Sequence, residues 1–107
     1  MKDVNINLLQ TSSNKIHVLK KIARNLLQHN LSCCVHISSS VSSYYMWNES
    51  LQEDREHILQ AKIKPEAFET CSHLIKTHHN YDLPEIILLP IDKIDSDYLA
   101  WATSELT

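Results

Sequence analysis

The stretch His78-His79-Asn80-Tyr81-Asp82-Leu83-Pro84-Glu85 places two imidazoles, a phenol and carboxylates on one polar turn before the apolar run Ile86-Ile87-Leu88-Leu89. Imidazole is a favoured donor for borderline-soft metals. Neighbouring helical residues point about 100° apart, so His78 and His79 can face one ion only if the helix has ended before them. The other reading is one exposed histidine and one that caps helix carbonyls. A second pair of soft donors is Cys34 and His36, which strand alternation puts on one face with Cys33 on the other. Buried, inert cysteines are the competing reading. His57 and His73 have no partner at ligand spacing. No nucleophile elbow, phosphate-cradling glycine loop or paired-carboxylate motif is present. The run Glu53-Asp54-Arg55-Glu56 reads as a solvated strand edge. The residues point to a binding protein and not to an enzyme.

The elements that must hold these groups follow from periodicity. Val4 to Leu9 alternates apolar and polar residues, as a strand with one buried face does. Gln10 to Asn14 reads as a polar loop with Ser12, Ser13 and Asn14 as candidate helix caps. Ile16, Leu19, Ile22, Ala23, Leu26 and Leu27 recur at helical spacing, which predicts an amphipathic helix over Lys15 to His29. Asn30 suits a left-handed stop. Ser32 to Ile37 reads as a strand, Ser38 to Ser43 as a loop or bulged strand edge, Tyr44 to Trp47 as strand again, and Asn48-Glu49-Ser50 as a turn. A further strand runs from His57 to Ile63. Pro65 opens a second helix, Ile86 to Leu89 reads as a strand buried on both faces, and Asp95-Ser96-Asp97 caps a short last helix. The order β-α-β-β-α-β plus a terminal helix predicts a ferredoxin-like α+β fold, an antiparallel sheet with helices on one face.

Length and composition bound the class. The 107 residues suit a single domain, residues 1–107. A chain of this size buries roughly two-thirds of its unfolded surface. Tyr45, Trp47, Tyr81, Tyr98 and Trp101 are many amphipathic aromatics for so small a core, and interface anchoring explains part of them. The net charge is −3, with no basic stripe, so nucleic acid is not an expected partner. No segment approaches the roughly 20 apolar residues of a membrane span. The three cysteines include a vicinal pair, which reads as reduced thiols and a cytoplasmic location. The chain has no glycine, so Asn, Asp, Ser and Pro must make its turns.

Several segments together resemble the CutA family of divalent-cation tolerance proteins. Leu31-Ser32-Cys33-Cys34-Val35 resembles the family's L-A-A-C-V, and Ser43-Tyr44-Tyr45-Met46-Trp47 its S-x-Y-x-W. Glu56 and Lys62 fall where the family's third strand carries a glutamate and a lysine. His79-Asn80-Tyr81-Asp82-Leu83-Pro84-Glu85 resembles H-P-Y-x-x-P-E, and Asp97-Tyr98-Leu99-Ala100-Trp101 resembles D-Y-L-x-W. The resemblance implies a homotrimer similar in architecture to the nitrogen-regulatory PII proteins. It also implies a role in tolerance of copper or another divalent cation, with His78 and His79 as ligands. The cysteine that joins them in bacterial members has its place at Thr11, or at Gln10 with a one-residue shift. The family's Pro-Gly after the second strand is replaced by Ser39-Ser40, and its glycine after Trp47 by Glu49. The alternative implied by the PII likeness is a regulatory or scaffold trimer holding a small anion in an intersubunit cleft lined by Lys62, Tyr81, Glu85 and Trp101.

Overall fold

The structure, a computed structural model, describes residues 6–106. Strand β1 (Asn7–Ser13) leads to helix α1 (Ile16–Gln28), then β2 (Ser32–Ile37), β3 (Val41–Trp47) and β4 (Ser50–Ile63). A single 3₁₀ turn at Pro65–Ala67 opens α2 (Phe68–His78), followed by β5 (Ile87–Leu89) and α3 (Ser96–Ser104). The strand order β2-β4-β1-β5 is antiparallel throughout, and β3 joins it only through β4. This is the expected ferredoxin-like arrangement with one added hairpin.

The core lies between the sheet and the two longer helices. Leu19, Ile22 and Leu26 of α1 and Cys71 and Ile75 of α2 pack on Leu9, Leu59, Ala61 and Ile63. All of these are fully buried, and a buried aliphatic side chain contributes about 1.5–3 kcal/mol relative to exposure. Alternation then sends Leu8, Gln10, Ser12, Ile58, Gln60 and Lys62 to the opposite, open face of the sheet. Among the described residues, no helix is long and apolar enough to cross a membrane.

Four expectations change. The first strand does not end at Leu9. It continues through Ser13 because Gln10 to Ser13 pair with Gln60 to His57 of β4, so its backbone is satisfied by a ladder that composition does not reveal. Val4 lies outside the described residues. No side chain caps α1 directly, and Ser13 Oγ instead accepts the Lys15 N–H at 3.0 Å. The run Glu53–Glu56 is a solvated strand segment only in part: Glu53, Asp54 and Arg55 are exposed, but Glu56 is buried. It is the middle of β4, which pairs with β3 from Trp47↔Ser50 to Val41↔Glu56. Finally, β5 is buried on one face only: Leu88 reaches the core, while Ile87 and Leu89 remain 42% and 39% exposed.

The β3–β4 hairpin extends beyond the sheet and gives the chain its elongated 49 × 26 × 24 Å shape. Its turn is Asn48-Glu49, with φ of 50° and 65°. Two central residues with positive φ make the primed turn whose twist matches paired strands. Asn tolerates this region, whereas glutamate there costs about 1–2 kcal/mol. Glycine would remove that cost and return about half of it as unfolded-state entropy. Replacing Glu49→Gly is therefore expected to raise the unfolding free energy by about 0.5–1 kcal/mol, read from urea midpoints at unchanged m-value. A loss of stability would show that the turn carries no strain.

Candidate functional site

Helix α2 ends at His78, and His79 is already extended, with φ −75° and ψ 150°. Both imidazoles are half-buried. Extended backbone at His79 directs the chain across the end of β1, and a chain of polar contacts holds it there. His79 Nε2 lies 2.8 Å from the Ser12 carbonyl oxygen, and the Tyr81 N–H donates to His79 Nδ1 at 3.0 Å. A carbonyl accepts and an amide donates, so the ring is the neutral tautomer with its proton on Nε2. Burial lowers the His79 pKa below its ordinary value, against the opposing pull of the Ser12 carbonyl and of Glu56. To ligate an ion, His79 would have to give up one of these two bonds.

The next residues continue the tie. Ser13 Oγ donates to Asn80 Oδ1 at 2.6 Å, and Asn80 Nδ2 donates to Asn14 Oδ1 at 2.9 Å. The Tyr81 hydroxyl accepts the Asn14 N–H at 2.9 Å and donates to Glu56 Oε2 at 2.5 Å. The His79 and Tyr81 rings stand 4.9 Å apart at a tilted angle. Burial first, and the Glu56 carboxylate second, push the Tyr81 phenol above its ordinary value. It therefore remains a donor at neutral pH. Glu56 is 9% exposed. Its place on β4 puts it on the open face of the sheet, in step with Ile58 and Gln60.

Glu85 closes the same region. Its carboxylate accepts from Gln10 Nε2 at 3.1 Å and from Ser12 Oγ at 3.4 Å. Gln60 Nε2 in turn donates to Gln10 Oε1 at 2.9 Å. Of the two positions where the resemblance puts a cysteine, Gln10 belongs to this network. Thr11 points the other way, fully buried, and its hydroxyl has no hydrogen-bond partner among the described residues.

Together these groups bound a cleft of about 480 Å³. Tyr81, Asp82, Leu83 and Glu85 form one wall, Ser12 and Glu56 the floor, and Ser43, Tyr45, Trp47 and Gln52 of the hairpin the other wall. Tyr45 donates to Asp54 at 2.5 Å, and that bond raises its phenol pKa. The lining contains three carboxylates and, among the described residues, no lysine or arginine. Such a cleft attracts cations and repels anions.

Of the residues singled out from the sequence, Tyr81 and Glu85 meet in this cleft. Lys62 and Trp101 do not line it in the protomer. Lys62 Nζ lies 5.9 Å from the centre of the Tyr98 ring, and the Tyr98 and Trp101 rings stand 5.6 Å apart at a tilted angle. These three form a separate cluster beside α3. Among the described residues, no group of three or more His, Cys, Asp or Glu side chains is placed to hold an ion. Sequence periodicity missed the burial of Glu56, the cleft roles of Ser12 and Gln52, the bonds of Gln10 to Glu85 and Gln60, and the tie through Asn80. Alternation already puts Glu56 on the face of Ile58, Gln60 and Lys62, but it gives no sign that Tyr81 lies over the carboxylate.

Comparison with known proteins bears on what such a cleft serves. A family model described as CutA1 divalent ion tolerance protein matches residues 7–105. The chloroplastic protein CutA of Arabidopsis thaliana is 35% identical over 82 residues, covering 77% of this chain and 45% of its own length. This chain thus spans less than half the length of that relative. The divalent-cation tolerance protein CutA of Thermus thermophilus is 36% identical over 84 residues, 78% of this chain and 82% of its own length. The crystal structure of CutA1 from Oryza sativa superposes with a TM-score of 0.92 at 27% identity, covering 97% of this chain and 95% of that one. A match running from the first strand to the end of the last helix, on the same fold, shows that the chain belongs to the CutA1 divalent ion tolerance protein family.

Proposed function

We propose that the chain is a homotrimeric binding protein for a divalent cation, and that the acidic cleft beneath Tyr81 receives the ion. The lining carries this reading. Glu56, Asp82 and Glu85 bring negative charge to one cleft that holds no basic side chain among the described residues; they are not arranged as a closed metal site, so the cleft draws in the ion by charge rather than by a preformed ligand cage. Carboxylate, hydroxyl and amide oxygens suit hard and borderline divalent ions. The name of the Thermus relative, a divalent-cation tolerance protein, supports the same ligand class, and copper is one member of it. Names of this kind also favour binding over catalysis. In this reading His79 positions Tyr81 and His78 is an accessory donor. The anion-binding alternative draws no support from the protomer, because Lys62 lies against Tyr98 and outside the cleft lining. Three free thiols suit a reducing compartment, for which we take the cytoplasm. The Arabidopsis relative is named chloroplastic, and cell fractionation distinguishes the two.

The trimer is supported by surface that a lone chain leaves wet. Tyr44, Met46 and Leu51 share one face of the hairpin and are 63%, 63% and 70% exposed. Exposed apolar groups that cluster in this way mark interaction surfaces. Strands β2, β3 and β5 are edges, whose unpaired backbone groups favour a further strand. Sedimentation is expected to give a trimer at micromolar concentration, shifted towards monomer by Leu51→Asp. A monomeric wild type, or a Leu51→Asp variant that stays fully trimeric, would contradict the assignment.

Calorimetric titration with Mn(II), Zn(II) and Cu(II) tests the cleft. Glu85→Gln should weaken binding about tenfold, the effect of losing about 1.4 kcal/mol, while His78→Ala changes it much less. If the His78→Ala/His79→Ala double variant abolishes binding and Glu85→Gln leaves it intact, the histidines hold the ion instead.

A further inference from the structure

The open face of the sheet carries another donor pair, outside the lining of the acidic cleft. Cys34 and His36 are alternate residues of β2, opposite Lys62 and Gln60 of β4. Their side chains therefore share a face, and Cys34 Sγ lies 3.8 Å from His36 Nε2. A tetrahedral ion that binds sulfur at about 2.3 Å and imidazole nitrogen at about 2.0–2.1 Å holds the two atoms about 3.5 Å apart. The observed separation is close to that bite, so small side-chain rotations suffice to close a chelate. The strand backbone beneath is fixed by pairing to β4. In the single chain Cys34 is half-buried and His36 exposed, so an ion can reach both before or beside any strand added at the β2 edge.

The other two thiols differ. Cys33 occupies the irregularity in register between Ser32 and Cys34 and is buried, with its Sγ 4.0 Å from the Lys62 carbonyl oxygen. Burial also raises its pKa, with Cys34 adding to the effect. Cys71 is fully buried in the core and pushed up to about 11 by burial. Thiols held in the protonated form are poor ligands.

We propose that Cys34 Sγ and His36 Nε2 form a two-donor site for a thiophilic ion, Cu(I) or Zn(II), separate from the acidic cleft. Binding replaces the Cys34 thiol proton, which passes to solvent, and uses the lone pair of neutral His36 Nε2. Water or a small thiol completes the coordination shell.

Titration of the purified full chain with Cd(II), a spectroscopic stand-in for Zn(II), reads the site through its thiolate-to-metal charge-transfer absorption. The band is expected in the wild type, in Cys33→Ser and in Glu85→Gln, and is expected to vanish in Cys34→Ser. His36→Asn should weaken binding about tenfold or more, since even residues behind the ligands change metal affinity by about 10–100-fold. A band that persists in Cys34→Ser, or affinity unchanged in His36→Asn, overturns the proposal. Alkylation of the wild type, followed residue by residue by mass spectrometry, needs no variant to fold. Zn(II) is expected to slow modification of Cys34, because the thiolate that attacks the reagent is the one the metal holds, and an unchanged rate overturns the proposal. Loss of the Glu85→Gln effect on hard cations with this band intact would affect only the cleft reading.

Discussion

The hydrogen bond from the Tyr81 hydroxyl to the Glu56 carboxylate, at 2.5 Å, is the contact on which the site depends. It joins the segment after α2 to the middle of the longest strand, and the same oxygen accepts the Asn14 N–H at the end of β1. Three elements thus meet at one atom. A hydrogen bond to a charged group contributes about 1.5–3 kcal/mol, roughly twice a neutral one. Burial keeps the phenol protonated, so its direction of donation is fixed. Asp82, Leu83 and Glu85 follow Tyr81 in sequence and take their places in the cleft wall from it. His79 supports the arrangement from behind, with one ring nitrogen on the Ser12 carbonyl and the other on the Tyr81 amide.

The sheet divides the work between its two faces. Leu9, Leu59, Ala61 and Ile63 turn to the helices and form the core with them, which supplies the stability of the fold. Their neighbours Gln10, Ser12, Gln60 and Lys62 turn the other way and carry polar chemistry. One-residue slips would exchange the two sets, so the apolar core also enforces the register that brings Glu56, Gln10 and Ser12 together. The hairpin extends this open face beyond the helices. There its large side chains serve as cleft wall on one side, through Tyr45 and Trp47, and as exposed apolar surface on the other, through Tyr44 and Met46.

Much of the fold was legible in local pattern. Helical spacing placed α1 and α2 within a few residues, and Asn30 adopts the left-handed conformation expected of a stop, with φ 56°. Asp95 caps α3, its side chain accepting from Asp97 and Tyr98. What local pattern did not show is pairing. Gln10 to Ser13 look like a loop until β4 supplies their partners, and Glu56 looks as solvated as Glu53, Asp54 and Arg55 until Tyr81 meets it. The site follows the same division. Tyr81 and Glu85 were visible as a polar turn, yet the partner of Tyr81 lies 25 positions away in sequence. The role of His79 rests on a backbone carbonyl, which leaves no side-chain signature to read. The resemblance of Glu56 to a family glutamate marked the position but not its contact.

The account rests on Tyr81 and Glu56 acting as a coupled pair, and a double-mutant cycle measures that coupling directly. Unfolding free energies of the wild type, Tyr81→Phe, Glu56→Gln and the double variant should be compared at neutral pH and fixed protein concentration. The expected coupling energy is about 1.5–3 kcal/mol, the range for a hydrogen bond to a charged partner. Additive losses, with coupling below about 0.5 kcal/mol, would mean that the two side chains act independently and that the cleft is held together by other contacts.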